Sequence, residues 1–359
     1  MICMMVVESE EPLVALTRSI LFSLSLCLAL VSVQHAQQSS LDRRLNIYWI
    51  DVEGGAATLL VTPDGQSLLA DTGNPGDRDA KRIFEVAQKA GLKKIDFLLT
   101  THFHSDHVGG VAALVKLIEI DRFLDHGDSI ETQNPGDAQR WESYKVLSTG
   151  KRTILKPGDK LPLNAVDGLI VSSNGQTLER ALKGGEENAF CKDAQQKDPD
   201  RTENQRSLGF LLTYGRFKFL DLGDLTWDKE MELSCPVNKL GTVTLMQATH
   251  HGFFNGYSGA PAHVWSLQPQ VVVVNNGPRK GLQPAAWETI AKIPGLEATW
   301  QIHRALGSDA AHNTGDDMIA NLESTAECKG NWLKASVASD GTFTLTNSRT
   351  GFTKSYSSR

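Results

Sequence analysis

Thr101-His102-Phe103-His104-Ser105-Asp106-His107 is the stretch whose reading decides the fold. It continues the apolar run Ile95–Leu99, which predicts a buried strand feeding directly into the histidine cluster. In extended chain, residues two apart project to the same side, so His102 and His104 can grip one cation together. Asp106 and His107, on the turn into the next helix, then face a second cation. Imidazole and carboxylate suit zinc, and the carboxylate also admits manganese or iron. A purely structural role would bury three imidazoles and a carboxylate without compensating charge, which is costly.

Two later stretches complete the set. Leu220-Asp-Leu-Gly-Asp224 ends a strand and presents Asp224 from a glycine turn, placed to bridge two metals. Thr249-His-His-Gly252 also follows a buried strand, and one of its imidazoles can close the second metal's shell. Each alone is a weak signal, but the three in this order are specific.

With these motifs the chain resembles the metallo-β-lactamase superfamily. In detail it is similar to the hydrolase domain of the ComEC competence-protein group and to teichoic-acid phosphorylcholine esterases. The matching residues are Asp51-Val-Glu-Gly-Gly-Ala56, Leu69-Ala-Asp-Thr-Gly73, Thr101–Gly110, Asn204-Gln-Arg-Ser-Leu208, Leu222-Gly-Asp224 and His250-His-Gly252, within about residues 45–305. The resemblance implies an αββα sandwich, two mixed sheets face to face with helices outside. It makes His102 and His104 ligands of the first metal, Asp106 and His107 ligands of the second, and Asp224 the bridge. His250 would be the last ligand of the second metal, with His251 beside it as a proton donor, although the reverse assignment stays open. Asp106 would both hold metal and orient the nucleophile, and Asp71 would orient ligand imidazoles. Most superfamily members place another histidine between the first motif and the bridging acid. Here only His126 lies in that interval, early and in a loop, and Asn204 is the expected substitute ligand. His303, after the strand-like Thr299–Ile302, is a candidate for substrate contact at the rim.

Around these motifs, Leu45–Asp51, Ala57–Thr62 and Ser67–Asp71 read as strands separated by tight turns. Helices are expected over residues 78–90, 108–117 and 284–293, and Gly109 and Gly110 allow the second to approach a packed site. Residues 126–140 and 184–206 read as polar surface loops. Leu208–Tyr214 and Arg216–Asp221 have hairpin spacing, Val243–Ala248 and Val271–Asn275 read as buried strands, and residues 333–357 as a β-meander. One hydrolase domain over residues 41–357 accounts for all of these.

Residues 19–33 form an apolar run after Arg18, too short for a comfortable membrane span of about 20 residues. It reads as a signal peptide within residues 1–36, which implies export to the periplasm or outside the cell and no stable membrane span after processing. Cys191, Cys235 and Cys328 then remain, an odd count that suggests one disulfide and one free thiol, with all three pairings open. The formal charge of −6 disfavours nucleic acid as a partner, since neutralising a phosphate backbone needs surplus Lys and Arg. A small molecule or an envelope polymer is the expected substrate.

The ligands imply a hydrolase in which two divalent ions generate and hold a hydroxide near neutral pH. The similar ComEC group points to a phosphodiester or phosphate ester. A lactone or β-lactam is the alternative substrate, and a metal-bearing binding module the alternative class, because one fold serves many chemistries.

Overall fold

The computed structural model describes residues 44–254, 256–324 and 328–359, so the expected signal peptide lies outside the described residues. Among the described residues no helix is long and apolar enough to cross a membrane. β1 (Leu45–Trp49), β2 (Thr58–Val61), β3 (Ser67–Ala70), β4 (Lys94–Leu99), β5 (Glu119–Asp125) and β6 (Arg152–Ile154) start the first sheet. β7 (Asp167–Ser173) and β8 (Gln176–Thr177) open the second. After β9 (Glu186–Glu187) come β10 (Gly209–Tyr214) and β11 (Phe217–Asp221). After β12 (Val237–Asn238) come β13 (Leu245–Gln247), β14 (Val271–Val274), β15 (Ala298–His303) and β16 (Ile319–Asn321). β9 and β12 pair only with each other, while the closing meander of β17 (Leu333–Val337), β18 (Thr342–Asn347) and β19 (Thr353–Ser357) returns to the first sheet.

The first sheet runs β19-β18-β17-β1-β2-β3-β4-β5-β6 and the second β16-β15-β14-β13-β11-β10-β7-β8. Both are mixed: β3 to β6 are mutually parallel, as are β11 and β13 to β16, whereas the hairpin-linked strands are antiparallel. Alternation along each strand sets the layers. Leu45, Ile47 and Trp49 of β1 enter the core between the sheets with Phe210, Phe219 and Trp300, and the Trp49 and Phe219 rings meet edge to face at 5.7 Å. Tyr48 and Ile50 point the other way, into a layer with Ile83 and Val86 of the helix Asp77–Lys89. Leu220 and Leu222 belong to a third cluster with Val264 and Leu267 of the helix Pro261–Leu267 and Ile290 of the helix Pro284–Ala291. The result is the expected sandwich of two mixed sheets covered by helices on both faces.

Three expected stretches differ. The helix expected over 108–117 is two short ones, Ser105–Val108 and Val111–Leu114, separated at Gly109 and Gly110. A Cβ at Gly110 would strike the Thr72 carbonyl, so the glycines do serve close approach, but they also break the helix. The polar stretch 126–140 contains the start of the helix Pro135–Leu147, whose N-cap Asn134 accepts from the Gly136 amide. Only Trp141 and Tyr144 are buried along it, too few apolar positions to show a helical period. Residues 184–206 are likewise not all loop: β9 and two 3-10 turns lie there, and Cys191 is bonded to Cys235. Cys328 is the free thiol of the three.

The disulfide closes a sequence separation of 44 residues. In the chain-entropy account such a loop stabilises by about 4 kcal/mol, with measured losses of about 2–5 kcal/mol. Replacing both Cys191 and Cys235 with serine is therefore expected to lower the unfolding free energy by roughly 2–4 kcal/mol, read from the urea midpoint. An unchanged midpoint would mean that the covalent link adds nothing to folding.

Glu230, wholly buried in the helix Trp227–Ser234, supplies a pH dependence. Burial pushes its carboxyl up from 4.5 to about 8, although Oε2 accepts from the Ala260 amide at 2.8 Å. The folded chain thus holds a proton that the unfolded chain releases at a lower pH. The stabilisation is fully present below pH 4.5 and is lost as pH rises through about 8. Glu230→Gln keeps a neutral side chain at every pH. It should flatten this decline and be the more stable form at pH 8 by on the order of a few kcal/mol. Parallel pH profiles for the two chains would contradict the assignment.

Candidate metal centre

Parallel strands end side by side, so their loops gather at one edge. β4 leads into Thr101–His107, β11 into Asp224, and β13 into His250 and His251. Asp71, one residue past β3 and in the left-handed region (φ 62°), organises the first loop. Its Oδ1 accepts from the Thr101 amide at 2.8 Å and its Oδ2 from the Thr101 hydroxyl at 2.7 Å. The same Oδ2 lies 2.6 Å from His107 Nδ1, which aims Nε2 of that ring into the site. Asp71 thus occupies the orienting place the sequence implies. Gly223, with φ 56°, lets the Asp224 turn lie against Thr101, where a Cβ would come within 2.8 Å of the Thr101 side chain.

Asp224 faces two clusters with its two oxygens. Oδ1 lies 3.2 Å from His107 Nε2 and 3.4 Å from His251 Nε2, while Asp106 Oδ2 is 3.3 Å from His251 Nε2 and 3.6 Å from His107 Nε2. One ligand atom from each of these four residues lies within 4.8 Å of the others. Oδ2 lies 3.4 Å from His250 Nε2 and 4.0 Å from His102 Nε2, and His104 Nδ1 is 3.0 Å from His102 Nε2. Ligand atoms about 2.0–2.2 Å from a common cation in tetrahedral array stand roughly 3.3–3.5 Å apart. The donor set is hard oxygen and borderline imidazole nitrogen, so the residues present fit divalent transition-metal ions.

The electrostatics agree. Burial disfavours charge on Asp224 and Asp106, but surrounding groups outweigh it and hold both carboxyls well below the usual range. These are His107, His250 and His251 for Asp224, and His107, His251 and Lys280 for Asp106. His102 is driven well below its ordinary value by burial and by His107 and His104. For His107 burial also opposes the charge, yet Asp224, Asp71 and Asp106 raise it well above. The carboxylates and His102 are therefore in the states that ligate metal, whereas His107 carries a proton that it must release on binding.

The structure gathers all six expected ligands, His102, His104, Asp106, His107, Asp224 and His250, but it exchanges the implied places of His250 and His251. His251, expected beside the ligands, joins Asp106 and His107. His250 lies on the side of His102. The cause is local: both residues adopt left-handed backbone (φ 52° and 57°), and the turn sends consecutive imidazoles to opposite oxygens of Asp224. His303 is corrected outright. It is 1% exposed and its Nε2 lies 2.7 Å from Asp51 Oδ1, a buried hydrogen-bond partner rather than a rim residue. His126 is also buried, its Nε2 3.0 Å from Glu203 Oε2. Asn204 follows Glu203, whose Oε2 accepts from the Phe103 amide between the two metal-site histidines, and the buried Asn204 Oδ1 has no hydrogen-bond partner.

Three residues at the site escaped the sequence reading. Glu131 Oε2 lies 3.0 Å from His104 Nε2 and leaves Nδ1 for the site. Ser258 Oγ lies 3.2 Å from His250 Nδ1. Lys280, its side chain 41% exposed, contacts the Asp106 carboxylate and puts a cation at the edge of the centre. None lies in a spaced motif; only the glycine-flanked Arg279-Lys280 hints at a functional loop.

Residues 50–177 match the family described as the Metallo-beta-lactamase superfamily. A metal-dependent hydrolase of Cupriavidus necator is 36% identical over 77 residues, 21% of this chain and 24% of that protein. A hydroxyacylglutathione hydrolase of Xanthomonas campestris pv. campestris is 27% identical over 134 residues, 37% of this chain and 44% of that protein. The chain spans less than half the length of these curated relatives. Among solved structures, a diiron β-hydroxylase of Streptomyces venezuelae is similar at 16% identity and a TM-score of 0.37, over 72% of this chain and 48% of that one. Residues 50–177 are thus similar to that superfamily, and the two mixed sheets flanked by helices are consistent with the metallo-β-lactamase fold.

Proposed function

We propose that this protein is an exported, metal-dependent hydrolase of phosphodiesters or phosphate esters. The observation that carries the reading is Asp224, whose oxygens face Asp106, His107 and His251 on one side and His102 and His250 on the other. Divalent ions bound there would supply Lewis acidity, acidifying water toward neutrality and offsetting charge that develops on the ester. The chain's own residues position that chemistry. Asp71 and Glu131 fix the rings of His107 and His104, and Lys280 offers a cation to an anionic substrate.

The choice of phosphorus over carbon rests on the similarity of the motifs from Asp51 to Gly252 to the ComEC group and the phosphorylcholine esterases. The net charge of −6 favours an envelope polymer or small molecule over nucleic acid. Export is supported by the Cys191–Cys235 bond, since disulfides persist in oxidising compartments, and by the apolar run at 19–33. The stretch similar to a hydroxyacylglutathione hydrolase favours a second reading, hydrolysis at an acyl carbon.

The test is a panel of bis-p-nitrophenyl phosphate, p-nitrophenyl phosphorylcholine, lactoylglutathione, a homoserine lactone and nitrocefin. Cleavage of a phosphate substrate should exceed the others by at least about tenfold in kcat/KM, roughly 1.4 kcal/mol of differential transition-state binding. A faster thioester, lactone or β-lactam would move the assignment to acyl chemistry.

A further inference from the structure

We infer that Asp51, His303 and Cys328 form a separate structural site for a thiophilic divalent cation such as zinc. It shares no residue with the centre at Asp224 and does not depend on the hydrolase reading. Its three ligand atoms come from distant stretches, just after β1, at the end of β15 and beyond β16, and lie within 4.8 Å of one another. Cys328 Sγ is 3.5 Å from Asp51 Oδ2 and 3.6 Å from Asn321 Oδ1, and His303 Nε2 is 2.7 Å from Asp51 Oδ1. Around tetrahedral zinc, sulfur and oxygen ligands stand about 3.5 Å apart and nitrogen and oxygen about 3.3 Å. The sulfur has that spacing to Oδ2 and the imidazole lies about half an ångström inside it at Oδ1, so the Asp51 carboxylate must turn to present one oxygen to both. Asn321 Oδ1, 3.6 Å from the sulfur, also accepts from the Asn331 amide at 2.9 Å, so a water could complete the shell.

The competing account is that Asp51 is simply neutralised by Arg82, whose Nη1 donates to Oδ2 at 3.0 Å. Arg82 is shared, however, since its Nη2 also pairs with Glu53 at 3.2 Å. On uptake the Cys328 thiol gives its proton to water, and the Nε2 proton that His303 donates to the Asp51 carboxylate also leaves to solvent, the neutral ring carrying its proton on Nδ1 so that the Nε2 lone pair faces the ion. The thiolate, Asp51 and Glu53 then balance Arg82 and a doubly charged ion. Asp51 and His303 are buried and Cys328 is partly exposed, so the thiol marks the way in. Such an ion would tie both sheets to the turn 51–56, whose Ala56 amide donates to the Asp106 carbonyl at 3.0 Å.

The test is titration of the intact protein with cobalt(II), followed by thiolate-to-metal charge-transfer absorption. Every residue gathered around Asp224 offers nitrogen or oxygen, so that band reports a thiolate alone. In the wild type the titration should develop the band to an amplitude of one thiolate-bound ion per chain, beyond whatever the centre at Asp224 takes up. Cys328→Ser should lose it, and Asp51→Asn should weaken cobalt binding there at least tenfold with the folded circular dichroism retained. As a readout that needs no variant, zinc should slow alkylation of Cys328 at least tenfold, followed by mass spectrometry. Cobalt uptake without the band, a band that survives Cys328→Ser, or zinc-insensitive alkylation would each overturn the site.

Discussion

Asp224→Ala is expected to lower kcat/KM for the preferred substrate of the panel by at least about 10³-fold, roughly 4 kcal/mol of transition-state stabilisation. The size follows from the geometry. Among the described residues Asp224 is the one carboxylate within 4.0 Å of His102, His107, His250 and His251, so its loss removes an anionic group from both sides of the centre at once. It also leaves His102, His107 and His251 buried with less compensating charge. Bound metal should fall below two ions per chain, measured by elemental analysis beside the kinetics. Full metal content with a small kinetic change would show that Asp224 only shapes the turn.

His251→Ala and His250→Ala should separate the two sides. His251 Nε2 is within 3.4 Å of Asp106 Oδ2, His107 Nε2 and Asp224 Oδ1, so its removal should deplete the ion at that cluster. A loss in kcat/KM of about 10²–10³-fold, roughly 3–4 kcal/mol, is the expected size. His250, in contact with Asp224 Oδ2 and with Ser258, should leave that ion in place and weaken binding on the side of His102 and His104. Chelator competition on each variant distinguishes them. Retention of both ions in His251→Ala, or equal losses in the two variants, would restore the implied order of the pair.

The ligand run from His102 to His107 was legible because its chemistry is written in local spacing: a strand end fixes which residues share a side. Asp224 was legible for a similar reason, as a carboxylate on a glycine turn. The order of His250 and His251 was not, because it depends on left-handed backbone at two adjacent non-glycine residues, a state that sequence seldom reveals. Glu131, Ser258 and Lys280 act through contacts across 27, 8 and 174 residues, where no periodic signal exists. His303 misled for the opposite reason. A strand-end histidine near the site edge looks functional, but its partner Asp51, 252 residues away, decides its burial. In the fold, strands and layers followed from apolar alternation, whereas the helix Pro135–Leu147 was hidden by its polar composition.

The most direct test of the central claim is anomalous diffraction from crystals of the intact protein grown with zinc, recorded at the zinc edge. Two peaks should flank the Asp224 carboxylate, one contacted by Asp106, His107 and His251 and the other by His102, His104 and His250. A single peak, or none, at Asp224 under saturating zinc would contradict a two-metal centre.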